Sequence, residues 1–337
     1  MYKLSKRIAL PPIYEGYPHP TCVFELTALS NGDCFDADPS WGNIIINPTT
    51  GETQKYNFGC NPVETLDQLI VSTRGNTIEI FDLKIGKTID EFKLTEEKGF
   101  DYCWNLIRLS PTVFATCSSD GSVRVFDILT HEVTHIFQGH IQETKELLLL
   151  PDGRIASASR DDTIRIWNLK TNKCDRIFTG FRSKEMNTVT KLAVLPIEDK
   201  KYYIISSNWG QVRIWNPHNG ECLWSFNEPG ISFVVPWTDN RFITNCRGSE
   251  LKVWNAKDKS YFTVNIHKTQ VHKAQFLEEN ILVTASSDPT LKIYDLKENK
   301  LLQTLEGHQK DTRGFTILTD KRIVSSGGEG GVIVWSI

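Results

Sequence analysis

The stretch Leu150-Pro-Asp-Gly-Arg-Ile-Ala-Ser-Ala-Ser-Arg-Asp-Asp-Thr-Ile-Arg-Ile-Trp-Asn-Leu-Lys-Thr-Asn172 decides the fold. Asp152-Gly153 is a tight-turn dipeptide, and two short runs follow it within the stretch, the second reaching Trp167. Side chains alternate in both runs with a period of two, and an Asp-containing turn joins them. Such runs read as paired antiparallel strands.

Laid on itself with a shift of about forty residues, the chain repeats this unit. The copies Leu109–Asp127, Trp237–Asn255, Leu277–Asp295 and Leu318–Ser336 fit without a gap. A copy ending at Asn216 carries extra residues around Glu198–Tyr202. The copy Leu29–Asn47 places Asn31-Gly32 over Asp152-Gly153 but ends without an aromatic residue. The copy ending at Asp82 is short, because little chain remains after Phe58 for its first strand. An aromatic-polar dipeptide thus falls at Phe81, Phe126, Trp167, Trp215, Trp254, Tyr294 and Trp335, with Ile46-Asn47 in the same register, 35 to 48 residues apart. A further strand follows each third strand except the last, and four strands per copy make one twisted sheet.

These units resemble WD repeats: Gly139-His140 and Gly307-His308 match the family's Gly-His dipeptide, and Trp-Asn, Phe-Asp and Tyr-Asp match its Trp-Asp. The resemblance covers nearly the whole chain. It implies an all-β, closed β-propeller of four-stranded antiparallel blades, one domain over 1–337. Eight blades is the count; seven, with the 58–82 unit collapsed, is the alternative. A lone blade cannot hide its apolar rows, so the blades must stack. The chain stops after a third strand, so residues 2–10 are expected to complete the last blade as its outer strand. Residues 11–20, Pro-rich, then form a connector, and 21–337 form the successive blades.

The totals fit an interaction module. The 337 residues carry 38 basic and 41 acidic side chains, for a net charge of −3. That balance argues against a general nucleic-acid or membrane surface. No segment has the length of a membrane-spanning helix, and no early apolar run resembles a signal peptide. The 8 cysteines form no CxxC pair, which fits a reducing, intracellular place: the cytoplasm, with the nucleus or a host cytosol also compatible.

His140, Ser157 and Asp161 resemble a hydrolase triad. The set recurs as His308, Ser325 and Trp335, with Glu329 in place of Asp, and as His267, Thr284 and Asp288, with Tyr294 in place of Trp. A catalytic site is built once; a fastener is used in many blades. With Trp167, these residues read as a structural network, as the family resemblance also implies. His131 and His135 sit at a turn and the strand after it and suggest no zinc pair. Gly327–Gly331 lacks the Lys-Ser/Thr of a phosphate loop. No catalytic residue, metal or cofactor is expected.

The resemblance puts the Gly-His and Asp-turn loops on one face, the top. The self-alignment marks one position per blade there: Phe24, Gly59, Trp104, Lys145, Thr190, Ser232, His272 and Arg313. Its residue type varies from blade to blade, as a binding position or plain solvent exposure would allow. Phe100, Tyr102 and Trp104 crowd one loop, and aromatics with a polar edge anchor interfaces. Arg74, Arg160 and Arg247 with Lys145 and Arg313 suggest a basic mouth for an acidic or phosphorylated peptide. Trp209 stands where other blades have the turn Asp. The expected role is a non-enzymatic scaffold for protein or peptide partners, monomeric or a subunit of a complex, with no small-molecule substrate. A basic-patch reader of acidic or phosphorylated peptides, nucleic acid or phosphoinositide is the alternative, and a propeller enzyme a further one.

Overall fold

A computed structural model describes residues 1–9, 26–38, 42–56, 59–65, 68–95, 102–180, 189, 191–198, 201–208, 210–238, 240–246, 248–328 and 331–336, with backbone alone at 9, 35–38, 42, 43 and 313. The strands, β1 to β32, form eight four-stranded sheets, and every described pairing is antiparallel. Seven sheets take four consecutive strands. The eighth joins β1 (Lys3–Ala9) to β32 (Gly331–Ser336), β31 (Ile323–Gly327) and β30 (Thr312–Ile317) in that order.

The expected closing strand is therefore in place, pairing Lys3 with Ser336 and Ala9 with Gly331. The copy ending at Asp82 is not collapsed. Its first strand, β6 (Cys60–Glu64), is short, with an irregular register between Cys60 and Val63, yet it pairs with β7 (Leu69–Arg74). The blade count is thus eight rather than seven. The insertion near Glu198 is absorbed by a hairpin, in which Ile197 N donates to Lys201 O at 3.0 Å.

Contacts group the chain into two compact units, residues 58–243 with 254–261, and residues 1–57 with 244–253 and 262–337. In the first unit the alternation works as the sequence demands. On β15 (Ile155–Ser159), Ile155 packs with Ala115, Val125, Phe137 and Trp167. Its neighbours Ala156 and Ala158 face the other way, against Leu192, Tyr202, Ile204 and Trp215. One strand thus serves two blade interfaces, the physical content of period-two patterning buried on both faces. In the second unit, Ile8 of β1 joins Val332 and Val334 against Leu26, Ile44 and Ile46. Ile46 takes the aromatic position and is fully buried. No described helix is long and apolar enough to cross a membrane.

Candidate functional site

The triad-like set is a fastener. His140 Nδ1 lies 2.9 Å from Asp161 Oδ2, and His140 Nε2 lies 2.7 Å from Ser157 Oγ. The Trp167 indole N–H donates to the same Ser157 Oγ at 2.7 Å. With an ionised Asp161 holding a proton on Nδ1, Nε2 accepts the serine hydroxyl proton. The side chains of His140 and Asp161 are 0% and 2% exposed, so no substrate reaches them. Burial alone would push the Asp161 carboxyl up; bonds from His140, Thr163 and the Ile141 N–H outweigh it and hold it well below the usual range.

The arrangement recurs. His267 bonds Asp288 and Thr284, each at 2.9 Å, although Tyr294 turns away to donate to Asn299. His308 and Trp335 both bond Ser325 Oγ at 2.8 Å. Glu329 lies outside the described residues. Two variants escaped the sequence reading. Trp215 donates to Ser206 at 2.7 Å, in a hairpin one residue shorter, where Asn208 Oδ1 caps the turn by accepting from Gly210 and Gln211. In the blade that carries Phe126, which has no Gly-His dipeptide, the buried Arg124 bonds Asp120 at 2.9 Å, and Asp120 also accepts from the Ser122 N–H and hydroxyl. The signal was present: Asp120 follows Ser118 by two residues, as Asp161 follows Ser159.

The variable position of the self-alignment has a specific geometry. Register shifts fall between Cys103 and Asn105, Thr144 and Glu146, Val271 and Lys273, and Thr312 and Gly314. Trp104, Lys145, His272 and Arg313 are therefore the extra residues of β-bulges. They stand at the start of β10 (Cys103–Arg108), β14 (Thr144–Leu149), β26 (Val271–Glu278) and β30. A bulge breaks the ladder and re-aims the extra side chain, which explains why residue type can vary there without disturbing the sheet.

In the first unit, five side chains form one contiguous patch. The Tyr102 and Trp104 rings lie 6.2 Å apart and are 62% and 41% exposed. The Lys145 ammonium sits 2.9 Å from the centre of the Trp104 ring, a cation–π contact. Lys145 also pairs with Glu143 Oε2, while Arg160 Nη1 meets Glu143 Oε1 at 3.0 Å. The Lys145 hydrogen bond, with that of Arg160, holds the Glu143 carboxyl below its usual range. Ile141, 84% exposed, belongs to the same loop. That loop is tightly built: the Ser159 hydroxyl donates to Gln142 O and Glu143 O, and Arg160 N donates to Glu143 O at 2.9 Å.

The basic mouth drawn from the sequence is largely compensated where it is described. Arg74 Nε pairs with Glu79 at 2.6 Å, and Lys145 and Arg160 share Glu143. The sequence reading overlooked those carboxylates because Glu79 lies five residues from Arg74 and Glu143 seventeen from Arg160. His272 in the second unit bonds Ser287 at 2.7 Å. Phe100, Trp209, Arg247, Phe24, Thr190 and residues 10–25 lie outside the described residues, as does the Arg313 side chain. His131 pairs with Asp90 and His135 bonds Leu169 O, so the two histidines have separate partners. Among the described residues no group of three or more His, Cys, Asp or Glu is placed to hold a metal.

Residues 131–168 and 299–336 match the WD40 family, described as WD domain, G-beta repeat. Denticleless protein homolog of Danio rerio is 32% identical over 116 residues, 34% of this chain and 16% of that protein. DDB1- and CUL4-associated factor 10 of Homo sapiens is 34% identical over 71 residues, 20% of this chain and 13% of that protein. The probable coatomer subunit beta' of Schizosaccharomyces pombe is 25% identical over 107 residues, 30% of this chain and 13% of that protein. The matches thus span 16% or less of these relatives' length. Among solved structures, the computationally designed Ika8 protein aligns with a TM-score of 0.74 at 21% identity, over 95% of this chain and 97% of that one, a likeness of fold. Eight four-stranded blades, the recurring His–Ser–Trp fasteners and the two matched segments agree: the chain carries WD40 repeats at residues 131–168 and 299–336.

Proposed function

We propose that this chain is a non-enzymatic protein-interaction scaffold, one propeller domain over 1–337, that holds protein or peptide partners on the face carrying the bulge residues. Ring closure is part of the proposal, supported by the pairing of β1 with β32. The carrying observation is the exposed Tyr102–Trp104 pair on a bulged strand beside a pinned loop. Large apolar groups with a polar edge, left open on a rigid support, are the usual anchors of interfaces. Two relatives are by name an associated factor of other proteins and a subunit of a complex, which supports a partner-holding role. His272 and Arg313 occupy the equivalent bulges of their own blades in the second unit. An intracellular place is supported by the seven described cysteines, all free thiols.

A nucleic-acid or phosphoinositide reader needs several uncompensated cations. Arg74 is paired, and Lys145, Arg160 and Glu143 together leave a single positive charge, which disfavours that reading. The test is affinity capture from cell extract with wild type, Tyr102→Ser/Trp104→Ser, and Leu129→Ser. Leu129 is 74% exposed in the hairpin at the other end of the same blade. The captured proteins should vanish with the first variant and persist with the second. Equal capture by all three would show that the face is wrongly chosen.

A further inference from the structure

Glu143 occupies an unusual place. Its carboxylate bridges two cations, Lys145 and Arg160, that stand on different strands or turns of one blade. Its backbone is fixed independently by Ser159 and the Arg160 N–H. The side chain can therefore swing out while the loop stays in place. Were it to leave, Lys145 would remain over the Trp104 ring, and Arg160, half exposed, would keep its fork of donors directed to solvent. The nearby Lys191 and Glu146, 3.9 Å apart, cancel each other.

Resting on the scaffold reading, we infer that this face takes a partner segment bearing an Asp or Glu side chain. That carboxylate enters the position Glu143 now holds between Lys145 and Arg160, and an apolar neighbour lies against Tyr102 and Trp104. Glu143 is the internal stand-in for the partner's acid. The charge decides the sign. Counting Lys145, Arg160 and Glu143, the patch is positive by one, which matches one carboxylate. A cationic partner would instead find the Trp104 ring face already taken by Lys145, with Arg160 beside it, and would be repelled by both. The bulges at Trp104 and Lys145 set these two side chains on the open face of adjacent blades, so acid and apolar contacts lie within reach of a short extended segment.

The probe is a bead library of random heptapeptides, screened with the labelled full chain. Wild type should select peptides enriched at least about twofold in Asp and Glu beside an aromatic or aliphatic residue. Lys145→Met/Arg160→Met should lose that enrichment, while Arg160→Lys keeps it. For a selected acidic peptide, Glu143→Gln should tighten binding by about 3- to 10-fold, because the internal competitor loses its charge. Thermal melting of each variant confirms that it is folded. Selection of Lys- or Arg-rich peptides, no enrichment, or an affinity unmoved by Glu143→Gln would each overturn the inference while leaving the face as a binding site. Selection unaffected by Tyr102→Ser/Trp104→Ser would overturn the face itself and the proposed function with it.

Discussion

Ser157→Ala is expected to be among the costliest small substitutions in the chain. The change removes one oxygen atom and leaves almost no cavity, so packing contributes little. The Ser157 hydroxyl is fully buried and serves both His140 Nε2 and the Trp167 indole N–H, each at 2.7 Å. Its loss orphans two buried polar groups. Each orphan costs about 1–3 kcal/mol, so the variant should lose roughly 2–6 kcal/mol. Unfolding entropy of about 2.1 cal/mol/K per residue makes ~1 kcal/mol worth about 1.5 °C in a chain of this size, so the melting point should fall by about 3–9 °C. Calorimetry of Ser157→Ala, Trp167→Phe and the double variant measures the coupling. With the indole N–H already gone, Ser157→Ala should cost about 1–2 kcal/mol less. A single-variant shift under about 1 °C, or additive losses, would refute the view that these bonds are satisfied in the folded state and needed there.

Four further outcomes follow from the structure. The Asp161 and Asp288 carboxyls are held low by their hydrogen bonds against the opposing effect of burial. Their stabilisation is complete above the unfolded value of about 4 and is lost as pH falls through the lowered folded values, so Asp161→Asn should flatten the acid limb of a stability–pH curve. Burial, opposed by Asp288, lowers the pKa of His267; the unfolded chain then takes up the proton first, and stability should decline as pH drops below about 6.5, a decline absent in His267→Gln. Ile8→Asp puts a charge among Val332, Val334 and Leu26 and should cost about 3 kcal/mol or more in urea titration, whereas Lys3→Asp, on an exposed end of the same strand, should cost little. Burial pushes the Cys103 thiol up to about 11 and Cys117 well above its ordinary value, so iodoacetamide at mildly alkaline pH should label the exposed Cys60 and Cys222 before Cys103 and Cys117, as read by peptide mass mapping.

Much of the fold was legible because its signals repeat. The alternation in Ile155–Ser159 assigned opposite neighbours to Ile155 and Ala156, and the structure places them so. The closing strand could be read because residues 2–10 precede the first repeat copy and had no other sheet to join. The short strand β6 was harder: little chain separates Phe58 from β7, Pro62 removes a backbone donor, and the register slips beside it. The bulge positions were legible, but the charges beside them were not. Self-alignment picked out Trp104, Lys145, His272 and Arg313, and these proved to be bulge residues. Ion pairs beside them join residues far apart in sequence, as Arg160 joins Glu143, and no periodicity announces such a contact. The Asn208 cap was hidden for another reason: a hairpin shortened by one residue displaces the turn residue from its aligned column.

Fastener and binding patch are built on the same few residues, and this explains how one can vary while the other recurs. Asp161 holds the His140 ring with one carboxylate oxygen and receives the Ile141 N–H on that same oxygen, so the fastener fixes the start of the loop. Ser159, two residues before Asp161, fixes the loop's end through Gln142 O and Glu143 O. Thr144 then donates to Gly121 O of the preceding blade at 2.8 Å, where the close approach of His140 O and Gln142 O leaves no room for a side chain at position 121. Only after these buried bonds are made does the chain reach Lys145, whose side chain the bulge directs onto Trp104. The backbone at the site is thus ordered by groups a partner never touches. A partner need restrict only the side chains of Glu143, Lys145 and Arg160, and ordering so few groups costs far less than ordering a free loop. Substituting the exposed residues should therefore change what is bound with little effect on stability, while substituting Ser159 or Asp161 should weaken both together.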